Sequence, residues 1–172
     1  EWHEKHYVSG FEIDKDIFEK YKLKSDFKNP RSRTSKTILI VGRGQLVGKP
    51  IYNWLVSQNP YREIMVQHAV WQRKIKIIDI KEKSQLPKLA READIIISGV
   101  GKAGLIKGNM IKKNAVLVDF GFDRKNNKIS GDFDFQSCAK KAKLITPVPG
   151  GMGPIMVAML FKNLIELTKN PT

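Results

Sequence analysis

Short, wholly apolar runs recur from residue 37 onward, and stretches with helical spacing of apolar positions separate them. Ile38-Leu39-Ile40-Val41 is a β-branched run with no polar alternation, which predicts a parallel strand buried on both faces. It runs straight into Gly42-Arg43-Gly44-Gln45-Leu46-Val47-Gly48, after which Ile51, Trp54, Leu55 and Gln58 follow helical spacing. Ile64-Met65-Val66 reads as a second strand, with 75–80 as an alternative or additional one. Leu86, Leu89 and Ala90 predict a helix. Asp94–Ser98 predicts a strand ending at Gly99 and Gly101, and Ala115–Asp119 another ending at Gly121. Phe135–Lys141 reads as helical and Leu144-Ile145 as a short strand before Pro147 and Pro149. A final helix is expected from about Met152 to Thr168, with Ile155, Met159, Leu160, Leu164 and Leu167 apolar.

Strands alternating with helices predict an α/β fold, a Rossmann-like three-layer parallel sheet with flanking helices. Residues 1–36 have a different character and read as an N-terminal extension and basic linker. A short helix is expected over Ile13–Leu23. Lys22, Lys24, Lys28, Arg31, Arg33 and Lys36 then follow, with Asp26 alone opposing them. The expected organisation is therefore this extension, then a domain over 37–172 with a basic insertion near 72–84.

Charge sharpens the picture. Across 172 residues, 31 Lys and Arg against 17 Asp and Glu leave a formal charge of +14. That suggests a polyanionic neighbour, with a solvated lysine-rich surface as the plain alternative. RNA or an RNA–protein assembly is the expected partner, through the basic segments 22–36 and 72–84 and through phosphates and shape, since no RNA-recognition signature is present. One cysteine, Cys138, excludes a disulfide framework and a Cys-based zinc site, and reads as a small core residue. His3, His6 and His68 do not share metal-ligand spacing, so no metal is expected. No apolar run reaches membrane-spanning length. The chain starts at Glu1, which suggests a processed product or an uncaptured start. Mitochondrial residence is the expectation on that ground, with the cytoplasm as the alternative.

The candidate chemistry lies in the glycine turn. A strand, a G-x-G-x-x-x-G turn and a helix together suit a dinucleotide pyrophosphate, because glycine accepts the unusual φ of the turn and free amides at a helix start attract phosphate. Gly42, Arg43, Gly44, Val47 and Gly48 are the candidate binding residues, with the Arg43 guanidinium placed to pair with a phosphate.

Several segments together resemble one family. Val41-Gly42-Arg43-Gly44, Val47-Gly48 and Pro50 resemble the V-G-R-S-x-x-V-G-x-P stretch of the bifunctional methylenetetrahydrofolate dehydrogenase/cyclohydrolases. Ala93-Asp94-Ile95-Ile96 with Gly101, Val118–Phe122, and Gly131-Asp132-Phe133 resemble later motifs in order. Thr146-Pro147-Val148-Pro149-Gly150-Gly151-Met152-Gly153-Pro154, followed by Val157–Leu160, is nearly that family's T-P-V-P-G-G-V-G-P run. Val8-Ser9-Gly10-Phe11 resembles its V-D-G-F. The resemblance implies a Rossmann-type domain for NADP or NAD, with Gly101, Gly121, Pro149, Gly150 and Gly151 added to the cofactor-binding candidates. It also implies a separate N-terminal domain that carries a catalytic Y-x-x-x-K and a folate-binding aspartate, and a last helix that returns to that domain.

The sequence departs from the pattern in places. The Y-x-x-x-K has no counterpart, so no catalytic residue is assigned. Gly44 stands for the family's Ser, Lys102-Ala103 for its x-P, Asp123 for its Asn and Met156 for its Thr. If the H-S-x-T after the second strand corresponds to His68-Ala69-Val70-Trp71, both hydroxyls are gone. Asp119 and Asp132 read as turn or strand-end hydrogen-bonders, and the 146–154 turn as inherited architecture. On the last helix Met156, Met159, Phe161, Leu164 or Ile165 would be left partly bare, so a protein partner is expected to cover it. These departures favour a catalytically degenerate relative that serves as a structural or binding component of a larger assembly such as a mitochondrial ribosome. The alternative is an NAD(P)-dependent methylenetetrahydrofolate dehydrogenase/methenyltetrahydrofolate cyclohydrolase whose catalytic domain is supplied elsewhere.

Overall fold

An apolar run with no polar alternation is stable as a strand only when both its faces are covered. In the computed structural model, which describes residues 36–57, 75–125 and 127–169, each such run takes that position. β1 (Ile38–Val41), β2 (Ile75–Ile78), β3 (Ile95–Ser98), β4 (Val116–Asp119) and β7 (Leu144–Ile145) form a five-stranded sheet in the order β2-β1-β3-β4-β7. Every pairing in it is parallel. The fold is the expected α/β Rossmann-like sheet with flanking helices.

Alternate residues of each run supply the two cores. Ile38, Ile40, Ile95, Ile97, Val116 and Val118 face α1 (Gly48–Ser57), with Ile51, Trp54 and Leu55, and face Met152 at the start of α4 (Met152–Lys169). Leu39, Val41, Ile96 and Leu117 face the other way, onto Leu86 and Ala90 of α2 (Leu86–Glu92) and Cys138 of α3 (Phe135–Ala139). Cys138 is fully buried, and burial raises its thiol to about 11, so it is a core residue.

The register decides where a site can form. Val41 lies level with Ile78 and with Ser98, and Ser98 lies level with Asp119. Four strands therefore end together at one edge of the sheet, and ligands of open parallel sheets bind beyond such an edge.

Three findings refine the sequence expectation. The strand offered as alternative or additional at 75–80 is present as Ile75–Ile78, with Ile75 and Ile78 buried and Ile75 beside Ile38. Part of the stretch read as a basic insertion is thus a sheet strand, followed by a one-turn 3-10 helix at Ile80–Glu82. Second, β5 (Asp123–Lys125) and β6 (Lys128–Ser130) form a small antiparallel pair that apolar periodicity did not signal. Third, α4 turns Met156 and Met159, expected to be partly bare, to the sheet together with Met152. Phe161 (64%), Leu164 (57%) and Ile165 (53%) are exposed as expected, and Leu160 (58%) with them. The expected helix over Ile13–Leu23, the strand at Ile64–Val66, the segment His68–Trp71 and most of the basic linker lie outside the described residues.

Candidate dinucleotide-binding site

The turn from β1 into α1 is built by glycines at points of close approach. Gly42 has φ 106, a left-handed conformation that side chains disfavour, and its amide donates to the Ile78 carbonyl at 2.9 Å. A Cβ on Gly48 would collide with the Gly42 carbonyl oxygen, and one on Gly99 would lie 2.8 Å from the Val47 side chain. Helix start, glycine loop and β3 end can meet only without those methyl groups. Among the described residues the amides of Arg43, Gly44, Gln45 and Leu46 donate to no protein acceptor. They stand at the N-terminal end of a ten-residue helix. This is the environment an anionic pyrophosphate requires.

Arg43 reaches sideways along the strand ends. Its Nη2 donates to the Ile77 carbonyl at 3.2 Å and pairs with Glu82 Oε2 at 3.2 Å. Glu82 is held from the other side as well, by the Asp79 amide at 2.9 Å. Asp79 in turn accepts from the Lys81 amide, and the two carboxylates form a reciprocal cap on the 3-10 turn. Asp79 and Glu82 were not among the residues the sequence singled out, although the alternative strand over 75–80 runs up to them. With β2 at Ile75–Ile78, the acidic residues after it are the visible signal.

Two buried carboxylates tie the neighbouring loops together. Asp132 accepts from the Ser98 hydroxyl at 2.6 Å and from the amides of Val100 and Lys102, each at 2.7 Å. Asp119 accepts from the amides of Gly121, Asp132 and Phe133. Burial pushes the Asp119 carboxyl up to about 6, against the pull of those amides and helped by the nearby Asp132 charge. Gly121 is buried against Asp132 and Gly131 against Asp119, and a Cβ on either would strike that carboxylate. Gly121 therefore contributes to the site through packing. Gly101 (φ 71) turns the chain at the exposed end of β3.

The 146–151 turn completes the rim. Thr146 Oγ1 accepts the Asp119 amide at 2.8 Å, the Val148-Pro149 bond is cis, and Gly150 has φ 98. Pro149 and Gly150 are exposed, whereas a Cβ on Gly151 would strike the Pro147 carbonyl. Built Cβ atoms on Gly44 and Gly150 meet nothing within 4 Å, so both positions border open space. The structure thus brings the glycine loop, Gly99–Gly101 and the β4 end to one edge of the sheet. Free amides, open space at Gly44 and Gly150 and a strand-edge location fit a dinucleotide. No cluster of three or more His, Cys, Asp or Glu among the described residues could hold a metal.

A glycine loop between a buried parallel strand and a helix, open along the strand ends, defines a dinucleotide-binding α/β domain. Residues 27–172 match the family described as "Tetrahydrofolate dehydrogenase/cyclohydrolase, NAD(P)-binding domain", and the chain belongs to that family. It is 40% identical over 138 residues to the bifunctional protein FolD of Campylobacter hominis, covering 80% of this chain and 44% of that protein. It is 36% identical over 156 residues to that of Nautilia profundicola, covering 90% and 47%. The crystal structure of the bifunctional enzyme FolD from Campylobacter jejuni superposes with a TM-score of 0.73 at 30% identity, over 96% of this chain and 51% of that one. The Trypanosoma brucei FolD, complexed with NADP cofactor and inhibitor, gives a TM-score of 0.67 at 26% identity, over 89% and 48%. The chain spans about half the length of the relatives it matches.

These relatives overturn the expectation of a degenerate structural component of a ribosome or other RNA–protein assembly and favour the enzyme reading. Three of the departures, at Gly44, Asp123 and Met156, have benign physical explanations. A side chain at position 44 meets open space, so exchange of Ser and Gly there leaves the packing intact. Asp123 accepts the Ala103 amide at 3.1 Å and so serves as a loop tie. Met156 packs on the sheet. The segment directly after β2 is Asp79–Lys83, and His68–Trp71 lies outside the described residues.

Proposed function

We propose that this chain is the NAD(P)-binding half of a methylenetetrahydrofolate dehydrogenase/cyclohydrolase. The observation that carries this reading is the unpaired amide set Arg43–Leu46 at the start of α1, level with the ends of β2 and β3. Those amides hold the pyrophosphate, and Gly42, Gly48 and Gly99 allow it to come close. The Asp119–Asp132 bracket fixes the loops at the ends of β3 and β4, against which the nicotinamide end lies. Pro149, Gly150 and Gly151 border the same edge. When bound, the cofactor supplies a hydride acceptor for the methylene carbon of the folate substrate. The proton-handling groups of the family belong to the half that the resemblance assigns to a separate catalytic domain.

The exposed face of α4 supports this division. Leu160, Phe161, Leu164 and Ile165 form an apolar patch on a helix whose inner methionines already cover the sheet. Such a patch marks an interaction surface. In this reading the other half of the family's protein covers it.

Calorimetric titration of the 172-residue chain with NADP+ and NAD+ tests the proposal. Saturable binding of at least one, lost on Gly48→Val, is expected. No binding of either at millimolar concentration overturns it.

A further inference from the structure

We propose that Glu82 sets the cofactor selectivity of this site by competing with a ribose 2′-phosphate for Arg43. The inference rests on the dinucleotide reading above and asks which dinucleotide the site prefers. In doubly wound sheets the adenosine ribose lies at the end of the second strand. A carboxylate there receives a free 2′-hydroxyl, and an arginine nearby accommodates a 2′-phosphate. This chain places both groups at the end of β2, joined to each other at 3.2 Å.

The two partners are not equally free to move. Among the described residues Arg43 is tethered elsewhere only by the Ile77 carbonyl, and its side chain is 47% exposed. Glu82 is fixed to the main chain by the Asp79 amide, within the reciprocal cap of the 3-10 turn. A 2′-phosphate that engages Arg43 must displace Glu82 or share the guanidinium with it. Displacement strips the cap, and sharing sets a carboxylate beside a phosphate of charge about −2. A 2′-hydroxyl can donate to Glu82 with the pair intact. Lys81 and Lys83 flank Glu82 and Asp79 lies beside it, so the charges of the turn itself cancel and Arg43 is the surplus cation beside it. The separation between the two cofactors therefore falls to Glu82.

The test is a double-mutant cycle on the 172-residue chain, with NADP+ and NAD+ titrated separately. Glu82→Gln keeps an acceptor for the Asp79 amide, so the turn remains capped. We expect Glu82→Gln to tighten NADP+ binding at least about fivefold while NAD+ changes less than about twofold. In an Arg43→Ala background the same substitution should shift NADP+ less than about twofold. An unchanged NADP+/NAD+ ratio in Glu82→Gln, with both still binding, overturns the selectivity role. An equal gain in the Arg43→Ala background overturns competition for Arg43. Failure of the parent chain to bind either dinucleotide overturns the cofactor reading itself.

Discussion

The amide of Asp132 donates to Oδ1 of Asp119 at 3.1 Å, so one buried carboxylate positions the next. Asp132 then gathers Ser98, Val100 and Lys102, and the loops after β3 and β4 become one unit. A cofactor edge assembled from separate loops needs such a tie, because free loops would have to be ordered anew at each binding event.

Asp132→Ala removes the acceptor for a hydroxyl and two amides at a fully buried position. Each orphaned donor costs ~1–3 kcal/mol, so a loss of about 3 kcal/mol or more is expected in urea unfolding. A loss under about 1 kcal/mol would show that water replaces the carboxylate.

The Asp119 carboxyl, raised to about 6 in the fold, gives a signed pH dependence. Between about pH 4 and 6 the unfolded chain has lost this proton and the folded chain keeps it. The Asp119 contribution to stability is therefore present below about pH 4 and declines as pH rises to about 6, by on the order of 1–3 kcal/mol. A carbon-13 titration of the Asp119 carboxyl should show a midpoint near 6. A midpoint below 4 would mean that its three amide donors outweigh burial.

Two glycines of the same loop should behave oppositely. Gly48→Ala forces a methyl into the Gly42 carbonyl oxygen, which must open the loop at a cost of ~1–3 kcal/mol and abolish dinucleotide binding. Gly44→Ser meets nothing and should change stability by less than ~0.5 kcal/mol. Thermal unfolding and titration of both variants check the contrast.

Leu160→Lys with Leu164→Lys alters only exposed positions of α4. The unfolding midpoint should move by less than ~2 °C. Association with the remaining half of the family's protein, followed by sedimentation, should weaken at least ~10-fold. Unchanged association would place that contact elsewhere.

Much of the fold was legible because buried parallel strands carry their signature locally. Ile38–Val41, Ile95–Ser98 and Val116–Asp119 are apolar runs that needed no partner to be recognised. The glycine loop was legible for a similar reason, since the turn it makes demands glycine wherever it occurs. The second strand was legible only as one of two candidates, Ile64–Val66 and 75–80, and pairing beside Ile38 places Ile75–Ile78 in the sheet. The contact of Glu82 with Arg43 carried no local signal.

The sequence by itself determined the strand–turn–helix unit, the family motifs and the apolar excess of the last helix, because each depends on residues close together in the chain. Only the tertiary structure decided that Glu82 meets Arg43 across 39 positions (82 − 43), that Asp119 and Asp132 bury side by side, and that α4 turns its methionines inward. Those outcomes depend on strand register and on which loops converge at the sheet edge, and contacts between distant segments leave no periodicity in the chain to be read.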